Sequence, residues 1–245
     1  MKKIVSFSGG KDSTAMLHLM IDKGIDFDEV VFFDTGWEFP QMLEHIDLVE
    51  QKTGIKITRL HPEKPFLYWM LDREVIARKG ENKGKVHRIG NGWPSPMRRW
   101  CTRIKVDKIN KHYGANTVSF IGYAKDEEER QYRTTGMKYS KKYPLIDYGV
   151  TEAEALEMCK ELGYHWGGLY DSFKRVSCFC CPLQGINELR TLRRDYPELW
   201  GKMLLWDSKI KNNRGFRDYD TVRDMEKRFS EEDYAESLQN KFDFA

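Results

Sequence analysis

A short glycine-containing loop, Ser8-Gly9-Gly10-Lys11-Asp12-Ser13, carries the most specific chemistry in the chain. An apolar run precedes it and a helical pattern follows it, so it should connect a buried strand to a helix. Backbone N–H groups then converge at the positive end of the helix dipole, where a phosphate binds well. The glycines permit close approach, Lys11 neutralises charge, and the hydroxyls of Ser8, Ser13 and Thr14 can donate hydrogen bonds. The pattern predicts a phosphate site; the alternative is a turn that binds nothing.

The loop is not either of the two commonest nucleotide motifs. A Walker A loop would need a glycine where Val5 stands and a Ser or Thr where Asp12 stands, and the Gly-x-Gly-x-x-Gly spacing is absent. The phosphate site therefore belongs to another class of nucleotide-binding protein.

Three cysteines lie within four residues, at Cys178, Cys180 and Cys181. The Cys178-x-x-Cys181 spacing allows two thiolates to reach one metal, and a third thiolate in so short a span is hard to explain by packing. Buried apolar cysteines are the alternative, and that interpretation is preferred for the isolated Cys159.

Positive charge is concentrated in residues 73–111. This segment contains twelve lysines and arginines and three acidic residues, so its net charge is +9. Such a segment attracts nucleotide phosphates or a nucleic-acid backbone. Trp93 and Trp100 within it could add base stacking. A solvated basic face without a partner is the alternative.

Short apolar runs alternate with helical patterns in the first 60 residues, which is typical of βαβ units in a parallel sheet. Residues Arg78–Pro96 are rich in Gly, Lys and Pro and are interpreted as a mobile loop or lid. The predicted strands are Ile4–Phe7, Glu29–Phe33, Ile55–Leu60 and Thr117–Ile121, and the predicted helices are Lys11–Lys23, Gln41–Thr53, Arg98–His112 and Thr151–Leu162, the last with a capping box.

Composition points to a globular protein, with 40% hydrophobic and 32% charged residues and no apolar run long enough to span a bilayer. Five cysteines without a secretion signal favour a reducing, cytoplasmic location. We expect an α/β nucleotide-binding domain over residues 1–150. A cysteine-bearing, mainly helical part over residues 151–245 should pack on the same site.

Several motifs together resemble one enzyme family. The Ser8–Ser13 loop is similar to the PP-loop of the N-type ATP pyrophosphatases, which cleave ATP to AMP and pyrophosphate, and the next motif resembles the phosphoadenosine phosphosulfate (PAPS) reductase branch. The resemblance covers about residues 1–200. The later motifs that follow the order of this family are Val31–Pro40, Arg99–Lys105, Gly122–Glu127 with Arg130, Tyr143–Leu145 and Arg175–Pro182.

This resemblance implies an adenine-nucleotide α-hydrolase-like, Rossmann-like parallel sheet flanked by helices. It implies that Ser8–Ser13 hold pyrophosphate, with Thr14 and Gly122 beside them, and that Asp34 and Thr35 face adenine or ribose. The implied cofactors are ATP and magnesium. The implied catalytic residues are Lys11, Asp12 and Arg130. Helix capping is the alternative role for both Asp34 and Asp12.

The resemblance also places Cys101 beside the later cysteines, which would make four ligands for a [4Fe-4S] cluster or a zinc ion. Cluster-bearing relatives carry Cys-Cys at the first position, whereas this chain has Cys101-Thr102. Cys180 could replace the missing ligand. Otherwise three cysteines would leave one iron open to sulfide.

Three functions follow. The first is an ATP pyrophosphatase that adenylates a substrate for iron–sulfur-dependent sulfur transfer, of the nucleic-acid thiolation or phosphorothioation type. The second is a PAPS or APS reductase that produces sulfite, although residues 240–245 lack the Glu-Cys-Gly-Leu/Ile-His tail of those enzymes. The third is a nucleotide-binding scaffold with structural zinc. The expected partners are an adenine nucleotide, nucleic acid through residues 73–111 and a sulfur-donor protein, with no membrane; a homo-oligomer is left open.

Overall fold

The computed structural model describes residues 1–132, 139–211, 213–217 and 219–242. Residues 243–245, at the end of the segment compared above with the reductase tail, lie outside this description. The strands are β1 Lys2–Ser6, β2 Glu29–Phe33, β3 Ile57–Leu60, β4 Glu74–Ile76, β5 Val86–Ile89, β6 Thr117–Ile121 and β7 Ser140–Lys142. The α-helices are α1 Lys11–Asp22, α2 Pro40–Thr53, α3 Phe66–Leu71, α4 Trp100–Tyr113, α5 Pro144–Asp147, α6 Glu152–Glu161, α7 Leu169–Ser172, α8 Ile186–Asp195, α9 Pro197–Lys209 and α10 Val222–Phe242, with 3-10 helices at Lys125–Tyr132 and Trp166–Gly168.

The chain forms two compact units, each made of two stretches of sequence. Unit 1 contains residues 1–63 and 101–179, and unit 2 contains residues 64–100 and 180–245. Residue 150, where the sequence suggested a boundary, lies inside unit 1. The reason is long-range contact: residues 159–170 carry side chains that bond to the loop after β1, as described below.

Unit 1 is built on a parallel sheet with the strand order β3-β2-β1-β6-β7. Its central strands are apolar on both faces; Ile4 and Val5 of β1 have no exposed surface, and Val30–Phe33 of β2 are all buried. Continuous apolar strands of this kind are expected where helices cover both faces of a parallel sheet. The predicted α/β fold, a parallel sheet flanked by helices, is confirmed.

The helices of unit 1 follow the sequence pattern closely. Met42, Ile46 and Val49 form the buried stripe of α2 at helical spacing. Thr151 caps α6 as predicted: its hydroxyl accepts from the N–H of Glu154, and the Glu154 carboxylate accepts from the N–H of Thr151 at 2.8 Å. The predicted ends of the other matched elements differ from the observed ones by at most two residues, and the predicted and observed bounds of β2 and β6 are the same.

Unit 2 contains an antiparallel hairpin, β4 paired with β5, which corrects the prediction that Arg78–Pro96 is a loop throughout. The side chains of β5 are mostly polar, so no apolar strand pattern is visible in its sequence. Its backbone groups are nevertheless hydrogen-bonded to those of β4. The prediction that Trp93 adds base stacking is also corrected. Trp93 is 1% exposed, and its Nε1 donates to Asp207 Oδ1 at 2.8 Å. Its ring therefore belongs to the core and cannot stack on a base. Trp100 packs edge-on against Phe66.

The helical part of unit 2 joins α8, α9 and α10 through apolar contacts and ion pairs. Trp200 of α9 lies against Phe229 of α10, with ring centroids 5.9 Å apart. Arg190 and Arg193 of α8 pair with Glu232 and Glu226 of α10. Among the helices that the structure describes, none is long and apolar enough to cross a membrane.

Candidate functional site

The loop after β1 lies at the point where the strand order of the sheet reverses. β1 pairs with β2 on one side and with β6 on the other, and Ser6 is in register with Ile121. The carboxyl ends of β1 and β6 therefore open side by side, which is where ligands bind in open parallel sheets. A Cβ added to Gly122 would lie 3.0 Å from the backbone of Asp12 and Ser13, so Gly122 allows the end of β6 to approach the loop.

Gly9 takes a backbone conformation that the loop requires. Its φ is 78°, in the left-handed region, and an added Cβ would lie 2.5 Å from Met42 Sδ. Gly10 precedes the first residue of α1, where the backbone N–H groups of the first turn lack intrahelical partners. These features produce the strand–turn–helix geometry predicted for a phosphate site.

Lys11 is nearly buried and is held between two carboxylates. Its Nζ lies 2.7 Å from both Asp12 Oδ1 and Glu152 Oε2. Burial lowers the pKa of Lys11, but hydrogen bonds to Asp12 and Glu152 and their charges outweigh it, so the pKa is raised and the cation is maintained. Burial raises the pKa of Asp12, against the opposing effect of Lys11, with Glu152 and Glu127 raising it further.

Three side chains from residues 159–170 hold the backbone of the loop. Trp166 Nε1 donates to the Gly9 carbonyl at 2.7 Å, and the Lys11 N–H donates to Tyr170 Oη at 2.7 Å. Cys159 Sγ donates to the Lys11 carbonyl at 3.4 Å. Cys159 is buried as expected, and burial raises the pKa of its thiol to about 12. Trp166 and Tyr170 were missed by the sequence analysis, since neither lies in a motif or near the loop in sequence.

The hydroxyls of the loop are already engaged with one another or with the core. Ser8 and Ser13 hydroxyls lie 3.1 Å apart, and Ser13 Oγ donates to the Gly10 carbonyl at 3.0 Å. Thr14 is fully buried, and its hydroxyl bonds to His45 Nε2 at 2.9 Å. Ser8 is the more exposed of these residues and faces solvent at the mouth of the loop.

A second polar group lies after β2, around a buried acid that the sequence analysis did not single out. Glu38 accepts from Thr35 Oγ1 at 2.7 Å and from the N–H groups of Thr35 and Trp37. Burial raises the pKa of Glu38 to about 7, with the Thr35 hydrogen bond opposing and Asp34 reinforcing the shift. Its place in the Val31–Pro40 motif was the available signal, because a carboxyl so close to an apolar strand is rarely buried without a role.

Two predicted site residues meet at this acid. Thr35 Oγ1 lies 3.5 Å from Cys178 Sγ, and Cys178 Sγ lies 3.9 Å from Glu38 Oε1. Asp34 accepts from the Gly36 N–H at 2.7 Å and lies 3.6 Å from His61 Nδ1. The end of β2 therefore combines one thiol with two carboxyls.

Arg130, predicted to reach the phosphates, lies in the 3-10 helix Lys125–Tyr132. Its guanidinium pairs with Glu127 and stacks over the ring of Tyr123, 4.3 Å from the centroid. Glu127 is close enough to Asp12 to raise its pKa. Arg130 is thus linked to the loop through Glu127, which lies between Arg130 and Asp12.

The predicted metal ligands do not form a ligand set as they stand. Within the ranges that the structure describes, no group of three or more His, Cys, Asp and Glu side chains is arranged to hold a metal ion. Cys101 and Cys178 belong to unit 1, whereas Cys180 and Cys181 belong to unit 2. The role of these four cysteines as ligands of a cluster or of zinc therefore stays a prediction.

Similarity to known proteins assigns the family. Residues 2–184 match the phosphoadenosine phosphosulfate reductase domain, which is about three quarters of the chain. The chain belongs to this family. The predicted membership is confirmed.

Individual proteins similar to this chain share a third or less of its residues. Two uncharacterized proteins of Methanocaldococcus jannaschii are 31% and 25% identical over 85% and 80% of this chain. The chain spans less than half of the length of these relatives, 41% and 45%. A solved structure described as a predicted subunit of tRNA methyltransferase, also from M. jannaschii, is 15% identical with a TM-score of 0.33, over 81% of this chain and 91% of that one.

Proposed function

We propose that the chain is an ATP pyrophosphatase that adenylates an oxygen of a nucleic-acid acceptor for sulfur transfer. The observation that carries this proposal is the intact Ser8–Ser13 loop, with Lys11 buried at the first turn of α1 and two carboxylates within 2.7 Å of its Nζ. A loop of this shape suits the β- and γ-phosphates of ATP. The PAPS reductase domain supports a nucleotide as substrate.

The proposed reaction has two steps. The acceptor oxygen attacks the α-phosphorus of ATP, the bond from that phosphorus to the bridging oxygen of pyrophosphate breaks, and an acceptor-O-AMP ester forms. A sulfide then displaces AMP, which departs with the acceptor oxygen, and leaves sulfur in its place. If the donor is a protein persulfide, its outer sulfur displaces AMP and a second thiol of the donor then cleaves the S–S bond, which leaves a disulfide on the donor. Lys11 and the first-turn N–H groups of α1 stabilise the charge that develops on pyrophosphate. The end of β2, with Asp34 and Thr35, receives the nucleoside.

Two features extend the proposal beyond ATP cleavage. Residues 73–111 supply positive charge for a nucleic-acid backbone. Cys101, Cys178, Cys180 and Cys181 have the count required for a [4Fe-4S] cluster, with zinc as the alternative metal. Iron, zinc and acid-labile sulfide measured on protein purified without oxygen decide between them; absence of all three removes the cluster from the proposal and leaves ATP cleavage intact.

The direct test is the product of ATP cleavage. The protein is incubated with ATP labelled at the α-phosphate, with and without RNA or DNA, and the products are separated. AMP and pyrophosphate are expected, and Lys11→Met should lower the rate by about 10²- to 10³-fold, the usual effect of removing one stabilising group. ADP and phosphate, or AMP formation unchanged by Lys11→Met, would contradict the proposal.

A second candidate is a PAPS or APS reductase. The observation that favours it is the matched domain, together with a thiol, Cys178, beside the buried acid Glu38. Reduction would need electrons from a dithiol protein and would release sulfite. Sulfite formed from PAPS or APS and lost in Cys178→Ser, with no cleavage of ATP, would establish this function in place of the first.

A further inference from the structure

Two arginines lie at the hairpin of unit 2. Val75 of β4 is in register with Arg88 of β5, and the N–H of Gly90 donates to the carbonyl of Arg73 at 2.8 Å. Arg73 lies one residue before β4, and its guanidinium stacks over the ring of Trp69, 4.7 Å from the centroid. The backbone pairing thus places Arg73 and Arg88 on the two adjacent segments of the hairpin.

A buried carboxylate fastens two further segments of unit 2 together. Asp207 is 4% exposed, and its Oδ1 accepts both from Trp93 Nε1 at 2.8 Å and from Asn213 Nδ2 at 2.7 Å. Phe216 packs edge-on against Trp93, with centroids 5.0 Å apart. The turn that begins after Trp93 carries Arg98, and Arg214 follows Asn213 directly. The anchor thus fixes the residue before Arg214, and Arg98 closes a turn onto Ser95, with its N–H donating to the Ser95 carbonyl at 3.0 Å.

The charges of the four arginines act on one another. Burial lowers the pKa of Arg88, and the charges of Arg214 and Arg73 lower it further. Burial also lowers the pKa of Arg98, followed by the charges of Arg214 and Arg88. Like charges on separate segments are held near each other, which costs free energy unless an anion joins them.

No protein anion fills this role in the described part of the chain. None of Arg73, Arg88, Arg98 and Arg214 forms an ion pair with a described carboxylate, and Arg88 Nε is buried without a hydrogen-bond partner among the described residues. A guanidinium fork matches the oxygens of a phosphate group. The cluster therefore has the donors and the charge of a phosphate site.

An exposed aromatic residue, Tyr219, follows Arg214 by five positions in the chain. Tyr219 is 93% exposed, and its φ of 77° is unusual for a residue with a side chain. Its backbone lies against Gly215, where an added Cβ would be 2.5 Å from the Tyr219 carbonyl carbon. Gly215 follows Arg214 in the chain, so the backbone of Tyr219 lies close to the segment that carries Arg214. Arginines on a backbone and an aromatic ring on a base are the two parts of a single-strand site.

We propose that Arg73, Arg88, Arg98 and Arg214 bind the phosphodiesters of a single-stranded nucleic acid, with Tyr219 stacking on a base. This rests on the proposed nucleic-acid acceptor and narrows its binding surface to four arginines, one of them outside residues 73–111. Trp93, a core residue, takes no part in it.

The test is fluorescence anisotropy with labelled single-stranded RNA and DNA and their duplexes, over a range of salt concentrations. Arg88→Gln, Arg98→Gln and Arg214→Gln should each weaken single-strand binding by about 5- to 10-fold and reduce the salt slope by about 1. Tyr219→Ala should weaken binding by a similar factor and leave the salt slope unchanged. The matched control is Arg223→Gln, an exposed arginine of unit 2, which should change binding less than about twofold.

Arg88→Lys is the variant that separates a loss of binding from a loss of folding. It keeps the positive charge and removes the planar guanidinium. Compared with Arg88→Gln, it should restore the salt slope but only part of the affinity. Variants that bind like Arg223→Gln, tighter binding of duplexes, or release of the strand by equimolar inorganic phosphate would overturn the proposal. The ATP assay is independent. ATP cleavage to AMP with no role for the arginines refutes this inference alone, whereas arginine-dependent strand binding without ATP cleavage refutes the proposed reaction alone.

Discussion

The indole Nε1 of Trp166 donates a hydrogen bond to the carbonyl oxygen of Gly9 at 2.7 Å. The same indole stacks on His45, with centroids 4.2 Å apart, and His45 Nε2 bonds to the Thr14 hydroxyl. Trp166 thus supports the turn at Gly9 directly and supports α1 through His45 and Thr14. The position of the phosphate loop depends on a residue more than 150 positions later in the chain.

Trp166→Phe should therefore loosen the loop. The Gly9 carbonyl loses its partner in a buried setting, which costs about 1–3 kcal/mol in the free energy of unfolding, and the KM for ATP should rise. Denaturant unfolding and steady-state kinetics measure the two effects. Trp69→Phe is the control, since that indole donates to the Lys64 carbonyl at an exposed position and should cost less than about 0.5 kcal/mol. Equal effects of both substitutions would contradict the supporting role of Trp166.

Gly9→Ala should combine backbone strain with a steric clash. The φ of 78° alone costs about 1–2 kcal/mol for a residue with a Cβ, and the approach to Met42 Sδ adds to it. Gly54→Ala isolates the first contribution, because Gly54 has a φ of 69° and nothing within 4 Å of an added Cβ. We expect Gly9→Ala to lose more stability than Gly54→Ala and to lose ATP binding as well. Unaltered ATP affinity in Gly9→Ala would argue that the phosphate does not bind at this turn.

Glu152→Gln tests whether the carboxylate competes with phosphate for Lys11. Glu152 Oε2 lies 2.7 Å from Lys11 Nζ, but the Glu152 side chain is 40% exposed, so the pair is worth about 0.5–1 kcal/mol. Neutralising it should leave Lys11 more available and tighten ATP binding by about 2- to 5-fold. Isothermal titration provides the measurement, and Glu157→Gln, exposed on the same helix, is the control. Weaker binding would mean that Glu152 positions Lys11 for the nucleotide.

The sheet and the turn after β1 were predictable because local rules dominate there. Apolar runs such as Val30–Phe33 leave a buried strand as the simplest interpretation, and Thr151 with Glu154 marked the start of α6. β5 was missed because its pairing satisfies backbone groups whatever its side chains, so Arg88 and His87 concealed it. Trp93 was taken for an exposed residue because its anchor, Asp207, lies more than 100 positions away.

Some residues of the candidate site could also be predicted from local sequence, and others could not. The turn at Ser8–Ser13 was recognisable because its glycines, lysine and hydroxyls are consecutive in the sequence, between an apolar run and a helical pattern. Trp166, Tyr170 and Glu38 act through long-range contacts or burial, and neither property is written in local spacing. All the predicted ligand roles stay predictions: those of Ser8–Ser13, Thr14, Asp34, Thr35, Gly122 and Arg130 toward the nucleotide, and those of Cys101, Cys178, Cys180 and Cys181 toward a metal.

His45 should make the protein sensitive to acid. Burial lowers the pKa of His45 to about 3, with smaller contributions from the charges of His18 and Lys52. Between pH 3 and the ordinary histidine value of 6.5, the unfolded chain binds a proton that the folded chain does not, so falling pH favours unfolding. His45 should remove at most about 1.4 kcal/mol per pH unit in this window. His45→Gln, which can keep a hydrogen bond to Thr14, should flatten the dependence of unfolding free energy on pH, whereas His61→Gln, at an exposed position, should not. Parallel pH profiles for wild type and His45→Gln would show instead that His45 is protonated in the folded protein, and the Thr14 bond would then have to be accepted by the threonine oxygen.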